Sequence, residues 1–98
     1  MKVLGMGHTY ELDNVESGIQ TLQFIRKEEK DGKLETMING TTNEQVIAVL
    51  IDRTKFLDEK NPSDFNKDAI QNLEAALLAF QNRTADRESR GVEGTVQA

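Results

Sequence analysis

The chain has 98 residues, with 12 Lys+Arg against 17 Asp+Glu and a formal net charge of −5 at pH 7. With no Cys and 1 His, it excludes a disulfide staple, a thiolate metal site, a Cys nucleophile and a His-cluster zinc site within one chain. The acidic balance disfavours bulk nucleic-acid binding, and no segment approaches the ~20 apolar residues that a membrane span requires.

A single small domain is expected over residues 1–98. Its apolar fraction of 37% is lean for a monomer, because small domains bury a smaller share of their surface. A homo-oligomer is therefore expected before any motif is read. The N-terminal run Met1 to Gly7 is too short in its apolar part for a secretory signal, and the expected address is cytoplasmic.

The first part of the chain, about residues 8–40, reads as β. A short strand is expected at His8–Leu12, ending at Asp13-Asn14. A longer strand is expected over Ile19–Arg26, where Leu22 and Phe24 alternate. Asp31-Gly32 then suits a type I′ turn into a return strand over Leu34–Ile38. That hairpin would set Ile25 opposite Ile38 and Arg26 opposite Met37. A sheet this small cannot stand alone, so something must cover its apolar face.

The second part, about residues 42–91, reads as a helical hairpin. Gly40 breaks the strand, and Thr42-Asn43-Glu44-Gln45 has the pattern of a capping box. In the first helix, Val46, Leu50, Arg53 and Leu57 share one face, and Ile47, Ile51 and Thr54 share its neighbour. The apolar sector is wide enough for more than one packing partner. Pro62 ends the helix near Glu59-Lys60. Ser63 or Asp64 can cap a second helix, whose Ile70, Leu73, Leu77, Phe80 and Thr84 follow the 3-4-3-4 spacing of a packed seam. The short Asn61-Pro62-Ser63 link makes the two helices antiparallel neighbours. Gly91 is the expected stop, and Val92 to Ala98 a short tail. The expected fold class is therefore α+β, a small N-terminal antiparallel sheet or hairpin followed by an antiparallel helical hairpin.

Few residues invite catalysis. His8 has no evident partner to make it a general base. Gly5-x-Gly7 lacks the rest of a dinucleotide fingerprint and no helix follows it. Glu28-Glu29 and Asp58-Glu59 read as solvated charge. No catalytic residue, metal ligand or cofactor is assigned. Arg83, Arg87 and Arg90, spaced i, i+4, i+7, fall on one helix face and can grip phosphates with forked donors. The plainer reading is a surface stripe paired with Asp86 and Glu88, and composition alone favours it. Phe56 lies beside the Val46–Leu50–Leu57 face. It is either a packing aromatic or a stacking platform for a base. Asn66, at the start of the second helix, either caps locally or reads a base or ribose edge.

Thr41-Thr42-Asn43-Glu44-Gln45-Val46, Leu50-Ile51-Asp52-Arg53, the Arg83 to Thr95 stretch closing on Arg90-Gly91-Val92-Glu93-Gly94-Thr95, and Leu22-Gln23-Phe24-Ile25 upstream together resemble small phage proteins. They are similar to the Thoeris anti-defence signal sponges, which share a helical-hairpin domain with the anti-CBASS sponges. The resemblance runs from about Tyr10 to Thr95. It implies an N-terminal antiparallel sheet, a C-terminal helical hairpin, and assembly as dimers or hexamers in the host cytoplasm. It implies binding without cleavage of immune signals, chiefly cyclic ADP-ribose isomers (glycocyclic ADP-ribose type) made by TIR-domain enzymes, with cyclic di- or trinucleotides held at a separate site in some members. The family's aromatic after the first helix, Asn at the start of the second and Arg late in the second fall here on Phe56, Asn66 and Arg83, with Arg87 as a helper. No residues carry over for a second cyclic-oligonucleotide site.

Asn66 and Arg83 stand 17 residues apart on one helix, about 25 Å at 1.5 Å per residue. Phe56 and Asn66 flank the hairpin turn and are expected to meet in one chain, while Arg83 and Arg87 must come from another. The competing readings are an oligomeric phage structural or interaction protein with no small-molecule ligand, an enzyme that degrades the signal, and a DNA-binding regulator, which the −5 charge opposes.

Overall fold

A computed structural model of the chain describes residues 1–96. They form two compact units, Met1–Thr42 with Gly94–Val96, and Asn43–Glu93.

The first unit holds two small antiparallel sheets. One is three-stranded, in the order β1 (Lys2–Gly5), β2 (Thr9–Asp13), β3 (Ile19–Gln23). The strand expected at His8–Leu12 is β2. Strand β1 escaped the sequence reading because four residues carry no usable alternation, and Val3 and Leu4 both remain exposed. Tyr10 pairs with Leu22 across β2 and β3, and its ring meets Phe24 edge-on at 5.9 Å.

The single strand expected over Ile19–Arg26 is broken at Phe24-Ile25, and its halves enter different sheets. The hydrogen bonds explain the break. Phe24 N–H donates to the His8 carbonyl (2.7 Å), Ile25 N–H to the Thr41 carbonyl (2.9 Å), and Thr41 N–H to the Gln23 carbonyl (2.9 Å). The Gln23 side chain pins the corner, its Nε2 donating to the Phe24 carbonyl at 2.7 Å and its Oε1 accepting from Thr9 Oγ1 at 2.8 Å. Gly40 is needed here for a reason beyond ending a strand. A Cβ on it would lie 2.6 Å from the Gln23 carbonyl oxygen and 2.6 Å from the Phe24 carbonyl carbon.

Past the corner, β4 (Arg26–Lys30) pairs with β5 (Lys33–Ile38) across the expected turn, with Asp31 at φ 53°. The register differs from expectation. A bulge between Arg26 and Lys27 sets Arg26 opposite Ile38, and Ile25 lies outside the strand. Part of the expected tail is also tied down, since the Gly94 carbonyl accepts from Leu34 N–H (2.9 Å) and Thr95 bridges to Lys33. The last residues of that tail, Gln97 and Ala98, lie outside the described residues.

The second unit is the helical hairpin, α1 (Asn43–Lys60) and α2 (Asp64–Ser89), with both helices close to their expected bounds. Ion pairs between Lys55 and Glu74 (3.9 Å) and between Lys67 and Asp58 (3.2 Å) run in antiparallel sequence order. Ser63 is the N-cap of α2, with extended backbone and a hydroxyl that accepts from Phe65 N–H at 3.1 Å. Ile70, Leu73, Leu77, Phe80 and Thr84 are all half-buried, as the seam pattern requires. On α1 the Ile47–Ile51–Thr54 face is the covered one, with Ile51 buried, whereas Leu50 and Leu57 stay exposed. Helix α2 closes in a Schellman turn. Gly91, at φ 70°, donates to the Glu88 carbonyl, and Val92 N–H to the Arg87 carbonyl, both at 3.0 Å. Val92 and Ile51 are the buried hydrophobic residues among those described.

Candidate ligand-binding site

Phe56 stands on the outer side of α1. At about 100° per residue it lies about 140° around the helix from buried Ile51 and about 160° from Asp58. Phe56 is 53% exposed, and Lys60, one turn later, places Nζ over its ring, 4.6 Å from the centroid. Ala48, Val49, Asp52 and Arg53 join Phe56 in lining a recess of about 620 Å³ along this face. A volume of that order suits a small organic ligand.

Asn66 lies in the first turn of α2, beside a hydrogen-bonded cluster centred on Asp58 in the last turn of α1. The Asp58 carboxylate accepts from Ser63 N–H (3.0 Å) and from Lys67 Nζ (3.2 Å). The Ser63 bond, with smaller contributions from Lys67 and Asn66, holds the carboxyl below its ordinary value, against partial desolvation that pushes it up. Asn66 Nδ2 also reaches the Asn61 carbonyl at 3.5 Å. Asn66 therefore faces the inside of the turn while Phe56 faces outward from α1. The expectation that one chain brings these two together is corrected, because the helical period sets Phe56 on the side of α1 away from Asp58. Asp58 itself, read from sequence as solvated, is a structural acceptor. An acid five residues ahead of a Ser N-cap was the available signal.

The arginine stripe divides in three. Arg83 is exposed, and no hydrogen bond or ion pair engages it among the described residues. Arg87 is buried at 5% exposure; its Nε donates to Glu93 Oε2 (3.1 Å) and its Nη2 to the Val92 carbonyl (3.0 Å). Arg90 caps α2 and pairs with Asp86 at 3.0 Å, as the plainer reading expected. The Glu93 partnership was not legible as such, because a Gly-containing turn separates it from Arg87. Among the described residues, no group of three or more His, Cys, Asp and Glu could hold a metal ion, and no helix is long and apolar enough to cross a membrane.

The chain is 46% identical over 61 residues to a protein named "Thoeris anti-defense 1" from Bacillus phage SBSphiJ7. Over that stretch it is similar to a Thoeris anti-defence protein. The match covers 58% of this chain and 41% of the Bacillus phage protein, so the chain spans about two fifths of its Thoeris relative. No protein-family description and no solved structure matches it. The α+β architecture is the one that resemblance to the Thoeris family implied.

Proposed function

We propose that this chain is a phage anti-defence protein that captures cyclic ADP-ribose isomers made by TIR-domain enzymes and withholds them, uncleaved, from the defence effector. The observation that carries this reading is the 46% identity over 61 residues to a phage protein named for Thoeris anti-defence. The surface is compatible with it. Phe56 offers an exposed ring to a base, Arg83 offers a free guanidinium to a pyrophosphate, and Asn66 offers a side-chain amide. Arg87 serves as helper, and reaches an anion only when Glu93 gives way. Phe56 faces away from the turn that holds Asn66, and Arg83 lies about 25 Å along α2 from Asn66. A site using all four therefore draws on more than one copy of the chain, as a dimer or a hexamer. Cyclic di- or trinucleotides are the second ligand class.

A thermal-shift panel of cyclic ADP-ribose isomers and cyclic oligonucleotides tests the reading. A ligand at a hundredfold excess over its Kd adds about 2.7 kcal/mol of native-state stability. For a chain of this size that is about 10–20 °C in Tm. Chromatography of the compound released by heating distinguishes capture from turnover: unaltered ligand supports withholding, altered ligand means an enzyme. The exposed Val49, Leu50, Leu57 and Leu78 favour a second reading, an oligomeric structural or interaction protein with no small ligand. The absence of any shift across the panel would establish it over the first.

A further inference from the structure

We infer that Arg53 is a ligand-binding residue, the cation that meets the phosphates of a nucleotide whose base stacks on Phe56 of the same chain. The inference rests on the nucleotide-capture reading and names a residue of that site which the family pattern does not supply.

The chain has five arginines, and three are already engaged. Arg26 pairs with Glu28 at 2.7 Å, Arg87 is buried against Glu93 and the Val92 carbonyl, and Arg90 pairs with Asp86. Among the described residues, no hydrogen bond or ion pair engages Arg53 or Arg83. In a chain of net charge −5, a polyanion is held where cations have no ion-pair partner of their own; these two guanidinium groups have none, although Asp52 lines the recess beside Arg53. They differ in position. Arg83 lies late in α2, whereas Arg53 precedes Phe56 by three residues on α1 and lines the same recess. That spacing makes the two side chains neighbours on one face, about 4.5 Å apart along the axis. A base on the ring thus places its phosphates within reach of a planar, two-pronged donor.

Asp52 lines the same recess. Its carboxylate repels a phosphate set against it, and accepts instead from a ribose hydroxyl or an exocyclic amine. Aromatic face, cation and acceptor together complement a nucleotide. A second copy packing by apolar contact alone would gain nothing from the exposed charges of Asp52 and Arg53.

Calorimetry of the full chain with cyclic ADP-ribose and its glycocyclic isomers decides the matter, using wild type, Arg53→Gln, Arg53→Lys, Arg83→Glu and, as a control cation on another face of α1, Lys55→Gln. The expected result is at least a tenfold loss of affinity in Arg53→Gln with a flatter salt dependence, partial recovery in Arg53→Lys, and near wild-type binding in Lys55→Gln. Arg53→Gln within twofold of wild type, while Arg83→Glu loses capture, overturns the role of Arg53 and leaves the capture reading standing. Equal losses in Arg53→Gln and Lys55→Gln overturn it too, because they reflect net charge alone. A fall in sedimenting mass in Arg53→Gln assigns the residue to an interface between copies and overturns it likewise. Wild type that binds none of these compounds removes the capture reading and this inference together.

Discussion

The ion pair that closes α2 is unequal, and its two halves respond differently to mutation. Arg87 is buried at 5% exposure, whereas the Glu93 side chain is 43% exposed. Glu93→Ala removes a carboxylate partner from a buried guanidinium. Breaking a fully buried pair from one side costs about 3–5 kcal/mol; with only one partner buried, about 2–3 kcal/mol is expected. Arg87→Met keeps the apolar stem, lets Glu93 return to water, and removes one donor from the Val92 carbonyl, at a cost of about 1–2 kcal/mol. The larger loss therefore belongs to the more exposed residue. With a urea slope of about 1–3 kcal/mol per molar for a small protein, Glu93→Ala lowers the midpoint by about 0.7–3 M. The double variant should unfold close to Arg87→Met, because the pair energy is already lost. An Arg87→Met protein less stable than Glu93→Ala, or a Glu93→Ala protein as stable as wild type, would refute the reasoning.

Three further outcomes are expected. Gly40→Ala forces a Cβ to 2.6 Å from the Gln23 and Phe24 backbone, so urea unfolding should show a loss of about 1–3 kcal/mol, and a neutral result would contradict the close approach. The Asp58 carboxyl is held below its ordinary value, so its contribution to the hairpin is whole above about pH 3.9 and disappears as pH falls through the lower native value. Asp58→Asn should remove that acid-limb dependence, and an NMR carboxyl titration with a midpoint at or above about 4 would argue against the Ser63 hydrogen bond. Arg83→Glu should abolish capture of cyclic ADP-ribose isomers while leaving the unfolding free energy within about 0.5 kcal/mol of wild type; wild-type affinity by calorimetry would remove Arg83 from the site.

What the sequence made legible follows the physics of local signals. Helix bounds rest on caps and periodicity, and Ser63, Gly91 and the Ile70–Thr84 seam each act within a few residues. The Asp31-Gly32 turn was legible for the same reason. The division of Ile19–Arg26 between two sheets was not, because it depends on Thr41 and His8 supplying hydrogen-bond partners far along the chain. The same limit applies to the site. Pattern and resemblance offered Phe56, Asn66 and Arg83 as candidates, and the fold adds where each of them stands. Which face of α1 turns toward α2 follows from packing, and that face sends Phe56 outward and Asn66 inward. The burial of Arg87 depends on a carboxylate across a tight turn, which no charge stripe on a helical wheel reveals.

A site divided between copies makes capture depend on protein concentration. On the capture reading proposed above, with Phe56, Asn66 and Arg83 in one site, the outward Phe56 and the roughly 25 Å along α2 between Asn66 and Arg83 would leave one chain with only part of that site. Ligand and second copy then strengthen one another's binding, and thermodynamic linkage requires the factor to be the same in both directions. Diluting the protein through its own association midpoint should weaken the apparent affinity for a cyclic ADP-ribose isomer. Saturating ligand should tighten self-association by an equal factor, measured by sedimentation. An affinity that holds constant while sedimentation shows the assembly falling apart would mean that a single chain suffices, and Phe56, Asn66 and Arg83 would then not belong to one site.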